Sequence, residues 1–262
     1  MKILVILIPG NPSVPGVYEP FMRQLSEDLN ITGEINTEIL HHLGQCNSNK
    51  EKFSKISLSE VIEDHKISIV NLIRKYKADK VYLISHSLGS AVSISLNEFL
   101  KEKIDKFFII CPFLGPSKNN IKYLKIFKNP VSRFGITLGS KAILSNRKVS
   151  KKFFTSWLGD NDINDLIINE IRKPNYINHF FTLVSGYFKD FEHLNVKDAV
   201  QKLDPEKTFF IFAKDDFWVP NEYTKLIPKH SKYEILDDIS HDFCLFDTQY
   251  KMVSQVISNE IF

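Results

Sequence analysis

Cysteine is scarce and poorly spaced for a structural role: Cys46, Cys111 and Cys244 are the three in 262 residues, with no C-x-x-C pair. An odd, scattered set excludes a disulfide framework and a thiolate zinc site. An excess of one charge is missing too. The 34 lysines and arginines against 31 aspartates and glutamates leave a net charge of +3, too even for a nucleic-acid-binding surface. No stretch approaches the roughly 20 apolar residues of a membrane-spanning helix. No repeat or low-complexity tract is present, which excludes a solenoid or a disordered chain. Met1-Lys2 followed by Ile3 to Ile8 imitates a secretory leader. The run is too short, Pro9-Gly10-Asn11-Pro12 ends it, and no small-residue cleavage site follows, so a buried strand is expected there. The chain reads as intracellular, soluble or peripheral to a membrane.

What is present is 43% hydrophobic residues, enough for a sizeable core in one domain over 1–262. Ile3 to Ile8, Lys80 to Ile84, Asp105 to Cys111 and Thr208 to Ala213 are apolar runs of the kind found in parallel strands covered on both faces. Thr37 to Leu40 and Tyr233 to Leu236 are shorter candidates. Between them, Tyr18 to Leu29, Leu58 to Tyr76 and Ser90 to Leu100 have helical spacing. Strands alternating with helices predict an α/β fold with a mostly parallel sheet and helices on both faces. From about 113 to 200 the strand pattern lapses. Aromatic residues there are interleaved with lysine (Tyr123 to Lys128, Lys152 to Trp157, His179 to Phe181, Tyr187-Phe188), and the expectation is an inserted helical cap. Those rings either form an ordinary core or face lipid, with lysines reaching headgroups.

The chemistry centres on Ile84-Ser85-His86-Ser87-Leu88-Gly89. A strand, a sharp turn with a central serine and a helix form a nucleophile elbow, although Ser85 stands where glycine is usual. A serine hydroxyl needs a base to become a nucleophile, and in this topology an acid and then a histidine should follow, each after a strand. Lys214-Asp215-Asp216 follows one strand and Ser240-His241-Asp242 another. Asp216 is preferred over Asp215 because it opens a D-x-x-V-P pattern ending at Pro220; Asp215 is expected to cap the turn. His241 would move the proton and Asp216 would orient its ring. The backbone N–H groups of Leu88 and Asn11 are the candidate oxyanion donors; Pro12 has none. Other histidines are given no chemistry. His41-His42 lack a third metal ligand, His65 reads as a surface residue, and His86 as a packing residue. Cys111 and Cys244 read as small core residues.

Ile8-Pro9-Gly10-Asn11-Pro12, Tyr18-Glu19-Pro20-Phe21, Leu58 to Lys66 with Asp64-His65-Lys66, the serine turn, Asp216 to Pro220 and Ser240-His241-Asp242-Phe243 together resemble the lipid droplet-associated hydrolases, a serine-triad family of the α/β-hydrolase superfamily. Ser85 and Ser13 depart from glycines usual in the family, and neither removes a reacting group. The resemblance implies an α/β-hydrolase fold and a serine esterase acting on lipid-like esters, sterol esters included. It needs no metal or organic cofactor, with water as second substrate. It also implies a lipid-droplet or cytoplasmic location, with endoplasmic-reticulum association in a eukaryote. An acyl-thioesterase, or a droplet-bound protein with little turnover, remains an alternative. The partners expected are a small-molecule or lipid ester and a droplet or membrane surface, and no nucleic acid.

Overall fold

The computed structural model describes residues 1–29, 33–43, 56–117, 120–159, 162–172, 176–177, 180–181, 184 and 194–262. Among these residues six strands form one sheet, β1 (Lys2–Ile8), β2 (Glu34–Ile39), β3 (Lys80–His86), β4 (Lys106–Ile110), β5 (Thr208–Ala213) and β6 (Lys232–Leu236), in the order β2-β1-β3-β4-β5-β6. Every neighbouring pair is parallel. The four inner strands are the continuous apolar runs, because a strand covered on both faces has no side that favours polar residues. Leu4, Ile6, Leu83, Phe108 and Phe210 are fully buried, and each such side chain contributes roughly 1.5–3 kcal/mol by leaving water. Edge strands β2 and β6 keep polar or exposed positions, such as Glu34, Asn36, Glu38 and Lys232.

Three helices described before the cap pack on this sheet: α1 (Glu19–Asp28), α2 (Leu58–Tyr76) and α3 (Leu88–Leu100). Helix α2 opens on a capping box. The Ser57 hydroxyl accepts the Glu60 N–H at 3.1 Å, and the Glu60 carboxylate accepts the Ser57 N–H at 2.7 Å, which pairs two otherwise orphaned donors. Between β4 and β5 the chain is helical among the described residues: α4 (Ile121–Lys128), α5 (Pro130–Ser145), α6 (Arg147–Leu158), α7 (Asp162–Ile171) and α8 (Val196–Val200). A last helix, α9 (Asp247–Ile261), packs on α1 with Val253 and Ile257 buried. That helix was not read from the sequence.

The strand order reverses at β1, which has β2 on one side and β3 on the other. In open parallel sheets the crevice beyond the strand C-termini at such a point is where ligands bind. Pro9 follows β1 there and Ser87 follows β3. Asp216 and His241 lie on the loops after β5 and β6.

Candidate active site

Ser87 sits between β3 and α3 with φ 51° and ψ −116°, a backbone state that side chains rarely adopt and that costs of order 1–3 kcal/mol. Three hydrogen bonds hold it. Its N–H donates to the Ile110 carbonyl at 3.0 Å, and its own carbonyl accepts the N–H groups of Ser90 and Phe113, each at 3.1 Å. Gly89 allows the close approach behind it. A Cβ on that residue would lie 2.4 Å from the Ile8 carbonyl oxygen and 2.5 Å from that of Pro9.

Residues far apart in sequence converge on the Ser87 hydroxyl. His241 Nε2 lies 2.9 Å from Ser87 Oγ, and His241 Nδ1 lies 2.7 Å from Asp216 Oδ2. The other carboxylate oxygen of Asp216 accepts the N–H groups of Trp218 at 2.8 Å and Val219 at 3.0 Å. Its side chain is wholly buried. The turn therefore caps itself through Asp216, and Asp215, expected to do so, is exposed instead. A carboxylate oxygen only accepts, so the His241 proton sits on Nδ1 and the Nε2 lone pair faces the serine hydroxyl.

Behind this chain lies a second one that the sequence reading did not anticipate. The Gly10 N–H donates to the Tyr18 hydroxyl at 3.0 Å, Tyr18 is 2.7 Å from His86 Nδ1, and His86 Nε2 is 2.9 Å from the His241 carbonyl oxygen. A carbonyl only accepts, so His86 carries its proton on Nε2 and takes the Tyr18 O–H at Nδ1. Burial, with His241 next to it, holds the His86 ring far below its ordinary pKa and hence neutral. His86 is thus a hydrogen-bonded tie between the Gly10 loop and the His241 loop rather than only a packing residue.

His65, expected at the surface, is fully buried, as is His42. His42 Nδ1 lies 2.9 Å from His65 Nε2, and burial pushes His42 down to about 4 and His65 well below its usual value. The helix period held the clue: Leu58, Val61, His65 and Ile69 form the buried stripe of α2. Among the described residues, His86, Cys111 and His241 bring potential metal-ligand atoms within 4.8 Å of one another. They do not suit an ion. Both nitrogens of each histidine are engaged, and burial beside Asp216 pushes the Cys111 thiol well above its usual pKa, whereas a metal needs the thiolate.

A cavity of about 140 Å³ opens over Ser87, lined by Gly10, Asn11, Tyr18, His86 and His241 from the sheet side and by Phe154, Ile167 and Ile171 from α6 and α7. Cys244, as expected, is a buried core residue beside it.

The family model for lipid-droplet associated hydrolases matches residues 1–244. The chain belongs to that family. It is 31% identical to a lipid droplet-associated hydrolase of Drosophila melanogaster over 51% of this chain and 47% of that one, so the match spans about half of that relative. A relative of the same name from Dictyostelium discoideum is 22% identical over 95% of this chain and 84% of its own. Among solved structures, the peroxisomal alpha-beta-hydrolase of Saccharomyces cerevisiae superposes with a TM-score of 0.72 at 11% identity, covering 100% of this chain and 76% of that one. The architecture is accordingly the α/β-hydrolase fold, with an all-parallel sheet. No helix among the described residues is long and apolar enough to cross a membrane.

Proposed function

We propose that this family member is a serine hydrolase that cleaves carboxylic esters of lipid-like substrates at the droplet surface. The Asp216–His241–Ser87 hydrogen-bond chain, 2.7 Å and 2.9 Å long in its two links, carries the reading. Ser87 Oγ attacks the ester carbonyl carbon as its proton passes to His241 Nε2. The new oxyanion meets the Leu88 N–H, which opens α3 and so lacks an intrahelical partner. The second donor is assigned to Asn11. The Gly10 N–H is committed to Tyr18, and Pro12 has none to give. The tetrahedral adduct collapses, the C–O bond to the alcohol breaks, and His241 returns the proton to that oxygen. Water, deprotonated by His241, then attacks the acyl-Ser87 ester and releases the acid and free Ser87. Every proton in this sequence is carried by the substrate, water or these side chains.

The cap supports the droplet location. On its outer face Val131, Phe134 and Leu138 are exposed by 79%, 70% and 60%. Between 121 and 158 there are nine lysines and arginines and not one acidic residue. Apolar rings and basic heads together suit a lipid surface, with each cation near an anionic one worth about 1 kcal/mol. Of the rings expected to matter, Tyr187 and Phe188 lie outside the described residues, as do the side chains of Tyr123, Phe127 and Trp157. Phe154 and Phe181 are buried and belong to the interior. The endoplasmic reticulum receives no support.

Labelling with a fluorophosphonate, wild type beside Ser87→Ala, tests the reading. Wild type should label, and Ser87→Ala should not; turnover of short p-nitrophenyl esters should fall by at least about 10³-fold. Turnover retained by Ser87→Ala, or an unlabelled wild type, refutes the proposal.

A further inference from the structure

Beyond the catalytic cavity the cap holds a larger, partly open one, about 290 Å³, between α5, α6 and the residues Tyr176, Ile177, Phe180 and Phe181. Its walls are Ile143 and Leu144 of α5, Phe154 of α6, and Tyr176 and Phe181. The two cavities share Pro12, Phe154 and Ile171 as common lining, so they meet at those three side chains. Pro12 directly follows Asn11, so the meeting point is beside the loop that faces Ser87. The chamber is apolar: the Tyr176 hydroxyl donates to the Ser13 carbonyl at 3.3 Å, leaving its ring as lining, and Ser140 is the other polar side chain there.

We propose that this chamber binds the acyl chain of the ester, entering between Pro12, Phe154 and Ile171. The inference rests on the esterase reading and adds the substrate class: esters of a flexible, single-chain fatty acid of medium length. Size selects the occupant. An apolar protein cavity of about 150 Å³ holds a benzene, so about 290 Å³ corresponds to roughly ten to twelve carbons. A sterol nucleus with its side chain has more than twice that number, more than the chamber can cover. In a sterol ester the alcohol half must then lie elsewhere, with only the acyl half in the chamber. Ile136 and Phe153, on the outer rim of the same chamber, are 37% and 48% exposed. The chamber thus reaches the apolar cap surface, giving a chain a route in from the lipid phase without crossing water.

The test is a chain-length series of p-nitrophenyl esters from acetate to palmitate, on wild type and on Ser140→Phe, which places a ring in the chamber. For wild type kcat/KM should rise about fourfold per methylene and level off near the decanoate. In Ser140→Phe the decanoate-to-acetate ratio of kcat/KM should fall at least tenfold. Ile143→Phe fills the same space and should give the same result if Ser140→Phe folds poorly. A wild-type profile that does not rise with length, or a ratio that neither variant changes, overturns the proposal. Calorimetric binding of decanoic acid to Ser87→Ala needs no turnover and is read separately. It should be at least tenfold tighter than binding of butyric acid and weakened by adding Ser140→Phe. No preference for decanoic acid would sink the chamber even if fluorophosphonate labels Ser87. A preference without labelling would sink the esterase and leave a fatty-acid site.

Discussion

Asp216→Asn should separate the chemistry of this site from its folding. The two oxygens of the Asp216 carboxylate have different duties: one accepts the Trp218 and Val219 amides, the other faces His241 Nδ1 at 2.7 Å. In the asparagine variant two N–H groups still point at one atom, so that atom must remain the oxygen. The new NH2 then falls opposite His241. An amide nitrogen only donates, so Nδ1 must become the acceptor and the ring proton must move to Nε2, against Ser87. A histidine in that tautomer cannot take the serine proton. The equivalent exchange in a serine protease costs about 10⁴ in kcat, or about 5 kcal/mol of barrier. Melting temperature should barely move, because both turn amides keep their acceptor. Asp216→Ala removes that acceptor and leaves the buried Val219 amide unpaired at about 1–3 kcal/mol, with the half-buried Trp218 amide adding to it, which lowers the melting point by several degrees as well as kcat. Asp215→Asn, at an exposed position, should change neither. Steady-state hydrolysis of p-nitrophenyl butyrate and thermal melts of the three variants read the outcome. If Asp216→Asn keeps more than about a tenth of the wild-type kcat, the role assigned to the carboxylate is wrong.

Two further outcomes follow from the frame of the site. Gly89→Ala would place a Cβ against two main-chain oxygens, at 2.4 Å and 2.5 Å, that no rotamer change relieves. It should cost upwards of about 2 kcal/mol in urea unfolding, and a variant as stable as wild type contradicts the close approach. Acid should destabilise the fold before carboxylates titrate. His42, lowered to about 4 in the fold by burial, takes a proton in the unfolded chain below about 6.5. The unfolded state therefore binds more protons across that window, and stability present above pH 6.5 is lost as pH falls toward 4. At pH 5 this amounts to about 2 kcal/mol for His42, with His65 acting in the same direction. Urea midpoints between pH 7.5 and 5 should decline in wild type and flatten in a His42→Gln/His65→Gln double variant; equal slopes would show that the pair is not linked to folding.

The parts legible in the sequence were those governed by local period. The inner strands are uninterrupted apolar runs, α2 begins and ends where its spacing starts and stops, and the order serine, aspartate, histidine follows strand ends. Edge strands were harder. For β2 the sequence suggested Thr37 to Leu40, whereas the strand is Glu34–Ile39; an edge with Glu34, Asn36 and Glu38 lacks the hydrophobic contrast that marks a buried strand. The Tyr18–His86–His241 chain joins residues 68 and 155 positions apart, and no local pattern encodes such a contact. Helix α9 did carry a signal, Met252, Val253, Val256 and Ile257 at helical spacing, packed into the core.

Ser85 shows why a departure from the usual serine turn is tolerated at one flank and should not be at the other. The first flanking position belongs to β3, in register with Ile8 and Ile109, where the side chain points off the sheet. There Ser85 is buried and its hydroxyl accepts that of Ser93 on α3 at 2.9 Å. A small polar side chain is thus accommodated, and its burial is offset by a partner. The second flanking position is on α3, where the helix start presses against the end of β1, and the nearest atoms are carbonyl oxygens of the main chain. Side chains can be exchanged or rotated to make room; a strand that carries the Pro9–Pro12 loop cannot retreat without moving that loop away from Ser87. The glycine requirement therefore falls on Gly89, because there the distance between the Ser87 turn and the loop after β1 is set by backbone alone.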